Sequence, residues 1–151
     1  MRLSESTLKT IAKTIESYFS KQKIGDSEIH PPYLGKIGEA PTIEFSAIIQ
    51  IYGAYRGAVY LTASRDFAAK VLMAQGLALN EENLLDIVGE MANIFAGNIR
   101  LDLGVAFSIT PPVLMSGKGI ALRFEVRDQP YVMPLRLDGA VANLVIVFEK
   151  S

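Results

Sequence analysis

Asn80-Glu-Glu-Asn-Leu-Leu-Asp86-Ile-Val-Gly-Glu90-Met-Ala-Asn93-Ile-Phe-Ala-Gly97-Asn98-Ile-Arg100-Leu-Asp-Leu-Gly104 reads as one long helix, and its two unlike faces decide how the rest of the chain must fold. Asn80 is a good N-cap, because its side chain can accept from one of the first backbone amides, which lack partners within the helix. Glu81 and Glu82 suit the positive end of the dipole, and Leu79 is placed to staple onto Leu84. Arg100 falls in the last turn, and Gly104 stands where a left-handed residue is wanted. The helix so predicted has about 23 residues and is roughly 34 Å long. Leu85, Ile87, Val88, Met91, Ala92, Ile94, Phe95 and Ile99 fill a broad apolar arc that can cover a sheet. At about 100° per residue, Asp86, Glu90, Asn93 and Gly97 fall within about 60° of one another on a separate, polar side.

Upstream, Leu8, Ile11, Ala12, Ile15, Tyr18 and Phe19 recur at helical spacing, which predicts helix one over roughly residues 5 to 20 with Ser4 or Ser6 as its cap. From Lys23 to Pro41, Pro31, Pro32, Pro41 and three glycines break regular structure and predict a loop with at most a short edge strand. Thr42 to Ile51, the turn Tyr52-Gly-Ala-Tyr-Arg-Gly57 and Ala58 to Thr62 predict a β-hairpin. Ser64 can cap a short helix two with Phe67, Val71 and Leu72 facing inward and Gly76 as its stop. Beyond Gly104, turn signals at Ser116-Gly117-Lys118-Gly119, Asp128-Gln129-Pro130 and Asp138-Gly139 divide four predicted strands, roughly 105–113, 119–127, 131–137 and 141–149. The expected architecture is α+β: one domain over residues 1–151, helices one and three packed on one face of a largely antiparallel sheet of about six strands. A faint repeat relates Ile29-His30-Pro31-Pro32-Tyr33-Leu34 to Ile109-Thr110-Pro111-Pro112-Val113-Leu114, offset by 80, and Gly53-Ala54 to Gly139-Ala140, offset by 86. It suggests a pseudo-two-fold duplication.

Composition removes whole classes of function. Fifteen Lys and Arg against sixteen Asp and Glu leave a formal charge of -1, with no excess of cations to displace counterions from a nucleic acid. No apolar run reaches the roughly 18 residues of a membrane span, and the first residues lack a signal-peptide core, so a soluble cytoplasmic protein is expected. The absence of cysteine excludes thiol nucleophiles and thiolate zinc sites, and the sole histidine, His30, cannot form a histidine cluster. Gly117-Lys118-Gly119 lacks the spacing and the Ser/Thr of a P-loop and sits between strands. Ser108 and Ser116 have no nucleophile-elbow setting.

The polar face of the long helix therefore carries what chemistry the chain has. Its plain reading is a solvated surface, but two residues argue otherwise. Gly97 costs about 1 kcal/mol relative to Ala in a helix, and it lies where a surface helix would ordinarily take Lys, Glu or Ala. Asn93 is a poor helix former with no capping role at mid-helix. Asn98 lies nearer the apolar arc and reads as a structural hydrogen-bonding residue.

Asp86-Ile-Val-Gly-Glu90-Met-Ala-Asn93, followed by Ile-Phe-Ala-Gly97-Asn98, resembles the D/S-x3-E-x2-N signature of the CheC, CheX and FliY phosphatases. Chain length, the central signature helix and the strands after it are similar to the stand-alone CheX branch, so the fold implied is CheC-like, without an appended FliN-like domain. CheC-type proteins carry the signature twice, whereas Thr10 and Lys13 stand at the equivalent places in helix one; one active site per chain is implied. The resemblance further implies that Asn93 orients the water that attacks a receiver's aspartyl phosphate, and that Glu90 pairs with the receiver's active-site lysine. Asp86 and Gly97 would contact the partner. No metal or cofactor of the chain's own is implied, because the CheY-like receiver brings the phosphoaspartate, the acidic pocket and Mg²⁺. Homodimerisation across sheet edges is implied as well. The rival reading is a non-catalytic receiver-binding or switch module resembling the middle domain of FliM.

Overall fold

The computed structural model describes residues 3–36, 39–40, 42–104, 107–118, 122–123 and 126–151. A short polar side chain opens each of its three helices. Ser4 Oγ accepts from the Thr7 amide at 3.0 Å and opens α1 (Glu5–Lys21), which decides between Ser4 and Ser6 as the cap. Ser64 Oγ accepts from the Phe67 amide at 3.1 Å ahead of α2 (Arg65–Ala74), and Asn80 Oδ1 from the Asn83 amide at 2.8 Å ahead of α3 (Glu81–Leu103). Gly76 and Gly104, at φ of 70° and 60°, end α2 and α3 in the left-handed conformation that costs glycine little. The staple expected of Leu79 buries little, since that residue is 56% exposed above a buried Leu84.

The strands are β1 (Ser27–Ile29), β2 (Tyr33–Leu34), β3 (Glu39–Ala40), β4 (Phe45–Gly53), β5 (Tyr55–Ala63), β6 (Phe107–Ile109), β7 (Val113–Ser116), β8 (Leu122–Arg123), β9 (Tyr131–Leu137) and β10 (Ala140–Lys150). One sheet runs β1-β9-β10-β5-β4-β6, with β2 also beside β9 and β7 also beside β4, while β3 and β8 pair separately. Every described pair is antiparallel. The main sheet is thus six positions wide, as expected, but its two edge positions are each shared by two short strands.

Several boundaries differ from the sequence-based expectation. The predicted strand 105–113 is broken into β6 and β7 by Pro111 and Pro112, which have no amide hydrogen to give a ladder. Of the predicted strand 119–127, β8 lies within the described residues, and residues 119–121 and 124–125 lie outside them. The segment 23–41, expected to hold at most one edge strand, contains β1, β2 and β3. Among the described residues no hairpin pairing flanks the turn expected at Ser116-Gly117-Lys118-Gly119, whose Gly119 is outside them: β7 pairs with β4 and β8 with β3.

All three helices share one core with one face of the sheet. Ala47, Ile49, Leu61, Leu135 and Leu144 from the strands pack with Phe19, Phe67, Ile87, Met91 and Phe95 from the helices. Each large apolar side chain buried in this way contributes about 1.5–3 kcal/mol relative to exposure. The opposite sheet face is also covered at its centre, where Tyr60, Val132 and Val145 cluster beside Ala58, Val126 and Val147. α3 needs only one side for packing, which leaves its other side free.

Connectivity reveals the repeat more clearly than the sequence does. β1 and β6 stand at equivalent opposite edges, each leading through a Pro-Pro link to β2 or β7. Ile29 lies opposite Leu135 and Ile109 opposite Ile51, so Leu135 is the counterpart of Ile51 rather than of Ile49, as the Gly-Ala match would have it. The difference arises in the turns, since Asp138 and Gly139, both at positive φ, close the β9–β10 hairpin whereas Ala54 alone separates β4 from β5.

Candidate active site

Residues of α3 fall on two sides. Ile87, Val88, Met91, Ala92, Phe95 and Ile99 are buried, whereas Asp86, Glu90 and Asn93 are exposed along one strip. Among the described residues no side-chain hydrogen bond or ion pair engages any of these three. Gly97 continues the strip, and a Cβ built on it would meet nothing within 4 Å. The fold therefore has no packing need for glycine there, unlike at Gly89, where a Cβ would come within 2.7 Å of Leu114. The four residues grouped from the sequence are thus brought together as an open strip cleared of side-chain bulk at one end.

Two elements flank it. Arg65, ion-paired with Glu81, ties the start of α2 to the start of α3. From α1, the Tyr18 ring makes edge contacts with Phe19 and Phe95, both at 5.4 Å between centroids. Its hydroxyl is pushed up to about 12 by burial first and by the charge of Glu90 second, with Gln75, at the C-cap of α2, opposing the rise. Tyr18 and Gln75 were not picked out as site residues from the sequence. Tyr18 counted there as one more member of the apolar stripe, and its hydroxyl in that stripe was the signal available.

A groove of about 470 Å³ runs between α1 and α3, lined by Lys13, Thr14, Tyr18, Lys21, Ile94 and Asn98 among others. Asn98 is half-buried in this wall, and among the described residues its side chain makes none of the structural hydrogen bonds expected of it. Thr10 and Lys13, the counterparts of Glu90 and Asn93, present neither a carboxylate nor an amide; the Thr10 hydroxyl donates back to the Ser6 carbonyl at 3.0 Å. His30 is paired 3.2 Å from Glu28 near the β1 edge, on a different element from the strip. Among the described residues no three His, Asp or Glu side chains are grouped to hold a metal, and no helix is long and apolar enough to cross a membrane.

Residues 45–136, which contain the whole of α3, match the family model of the chemotaxis phosphatase CheX. The chain belongs to the CheX family. Solved structures support the same fold. The chemotaxis protein CheX of Vibrio vulnificus is 25% identical, with a TM-score of 0.79 over 95% of this chain and 99% of that one. A CheC-like superfamily protein of Shewanella sp. PV-4 is 21% identical, with a TM-score of 0.80 over 97% and 99%. CheX in the CheX–CheY–BeF3–Mg²⁺ complex of Borrelia burgdorferi is 20% identical, with a TM-score of 0.73 over 99% and 100%. No functionally curated protein matches the sequence. The match to the CheX family begins at the first residue of β4, so α1 and its Tyr18 lie outside the matched segment.

Proposed function

We propose that this chain is a phosphatase that hydrolyses the aspartyl phosphate of a CheY-like receiver, with Asn93 orienting the attacking water and Glu90 pairing with the receiver's active-site lysine. The observation that carries this reading is the exposed, unpartnered pair Glu90 and Asn93, one turn apart beside a glycine that no internal contact requires. Membership of the CheX family and the CheY complex of the Borrelia burgdorferi relative support the choice of partner. Phosphoryl transfer through a loose transition state depends on positioning and electrostatics more than on covalent catalysis, so a chain without cysteine and with no histidine on the strip is not at a disadvantage. The Asn93 amide both donates and accepts, and it brings no charge against the phosphoryl oxygens, where a carboxylate would repel them. Water's oxygen bonds to phosphorus as the bond to the receiver's aspartyl oxygen breaks, releasing phosphate and a free carboxylate. The Mg²⁺ belongs to the receiver, and the chain needs no cofactor of its own.

Asp86, one turn before Glu90, and Gly97, one turn after Asn93, would contact the receiver's rim. Retention of both Glu90 and Asn93 favours catalysis over a binding-only switch module. The deciding experiment follows loss of phosphate from purified phosphorylated receivers with and without the chain. Acceleration by the chain supports the reading, and tight binding without acceleration would install the switch-module reading instead. We place the protein in the cytoplasm with its receiver, and as a homodimer joined through sheet edges, where among the described residues β1–β2 and β6–β7 each pair on one side. A monomer mass at micromolar concentration would refute the dimer.

A further inference from the structure

Among the described residues, the Tyr18 hydroxyl is a buried polar atom with no hydrogen-bond partner. Such an atom is costly, and nothing in the packing asks for it: the edge contacts to Phe19 and Phe95 use the ring alone, so phenylalanine would serve the core as well. Its surroundings are informative. The Gln75 side chain lies beside it without meeting hydrogen-bond geometry, and Glu90 is the carboxylate whose charge reaches it. Phe95, on which the Tyr18 ring rests, is two residues beyond Asn93 on the same helix. An unpaired donor thus stands at the foot of an unpaired acceptor that extends into solvent.

Resting on the phosphatase reading, we infer that Tyr18 is a positioning residue for Glu90: when a receiver docks, the Glu90 carboxylate turns onto the Tyr18 hydroxyl, which donates a hydrogen bond and aims the carboxylate at the partner's ammonium group. A phenol suits this task because it holds its proton throughout the neutral range and so remains a donor beside a carboxylate. Fixing one oxygen of a flexible glutamate leaves the other for the receiver and lowers the ordering cost of the contact. Gln75, at the C-cap of α2, is the other polar side chain beside the hydroxyl.

The test is Tyr18→Phe in the full chain, alone and combined with Glu90→Gln, assayed by single-turnover dephosphorylation of a phosphorylated receiver over a range of chain concentrations. Folding is checked by denaturant unfolding, where loss of an unpaired buried hydroxyl should leave stability unchanged or raised. Half-saturation is expected to rise about tenfold, with a smaller change in the limiting rate, because the lost bond serves docking. In the Glu90→Gln background the same change should have no further effect. The ¹³C resonance of Tyr18 Cζ at neutral pH should also move on Glu90→Gln in the chain alone. Unchanged half-saturation for Tyr18→Phe, or equal effects in both backgrounds, overturns the inference while the phosphatase reading stands. A wild-type chain that accelerates loss of phosphate from no receiver sinks the phosphatase reading and this inference with it.

Discussion

Asn93 can be removed without touching the packing of α3, because its side chain is exposed and alanine is the better helix former. Asn93→Ala should therefore unfold at the wild-type denaturant concentration or above, yet lose on the order of 10²-fold in single-turnover dephosphorylation, by analogy with loss of one catalytic hydrogen-bond donor. Circular dichroism is the folding control, and a folded, fully active variant would end the water-positioning role. Glu90→Ala should instead weaken binding of the phosphorylated receiver, Glu90→Lys more so through like-charge repulsion, and Asp86→Ala least of the three. Gly97 separates fold from function in the opposite direction. Since a Cβ at Gly97 meets nothing within 4 Å, Gly97→Ala should stabilise the chain by about 1 kcal/mol. The same methyl group occupies the space a receiver would approach through, so half-saturation should rise in the more stable variant. Stabilisation with unchanged engagement would show that the cleared end of the strip is not part of the docking surface.

Strand pairing imposes limits of another kind. Gly57 of β5 sits opposite Phe148 of β10, and a Cβ there would fall 2.0 Å from the Val147 carbonyl oxygen and 2.6 Å from Phe148 Cα. Backbone atoms cannot yield as a side-chain tip can, so Gly57→Ala should cost about 3 kcal/mol or more, read from the denaturation midpoint. One residue earlier on β5, Arg56 meets Glu149 of β10 at 3.0 Å, and the Arg127 amide donates to the same oxygen at 3.2 Å. Desolvation works to raise the Glu149 carboxyl, but the Arg127 amide and the Arg56 guanidinium outweigh it and hold the group below its ordinary 4.5. The stability this adds is present above pH 4.5 and is lost as pH falls through the lower folded value. Glu149→Gln should accordingly be less stable than wild type at pH 7, and the gap should close in acid; a gap independent of pH would refute the assignment. The helix caps were legible in the sequence because Ser4, Ser64 and Asn80 act within three residues of themselves. The strand predicted over 105–113 covered β6, but the bounds and partners of β1, β2 and β7 were not legible, because strands of two to four residues around Pro-Pro links show no period and are defined by distant partners. The same division holds at the site: Asp86, Glu90, Asn93 and Gly97 share one helical period, whereas Tyr18 and Gln75 come from other helices and reach Glu90 only through packing.

Over the whole molecule, the two similar halves are interlocked rather than set side by side. The half that begins with α1 supplies β1 and β2, which pair with β9 of the other half, and the half that begins with α3 supplies β6 and β7, which pair with β4 of the first. The central contact, β5 with β10, and the outlying β3 with β8 also cross between halves, so among the described pairings only the hairpins β4–β5 and β9–β10 are internal to one half. Phe19 of α1, Phe67 of α2 and Phe95 of α3 meet in edge contacts at 5.8 and 6.2 Å, joining the helical layer across the same division. A fragment of residues 1–79 or 80–151 would hold one hairpin whose outer face and both edges had lost their partners, and an isolated hairpin is marginal in water. Each fragment alone is therefore expected to lack the far-ultraviolet dichroism and amide-resonance dispersion of a folded sheet, although 80–151 carries Glu90 and Asn93. Mixed in equal amounts, the two should regain sheet signal, because every lost pairing is restored in trans. Independent folding of fragment 80–151, with dispersed amide resonances and dephosphorylating activity of its own, would show that the pairings between halves are dispensable and that the polar strip of α3 is held by its own half.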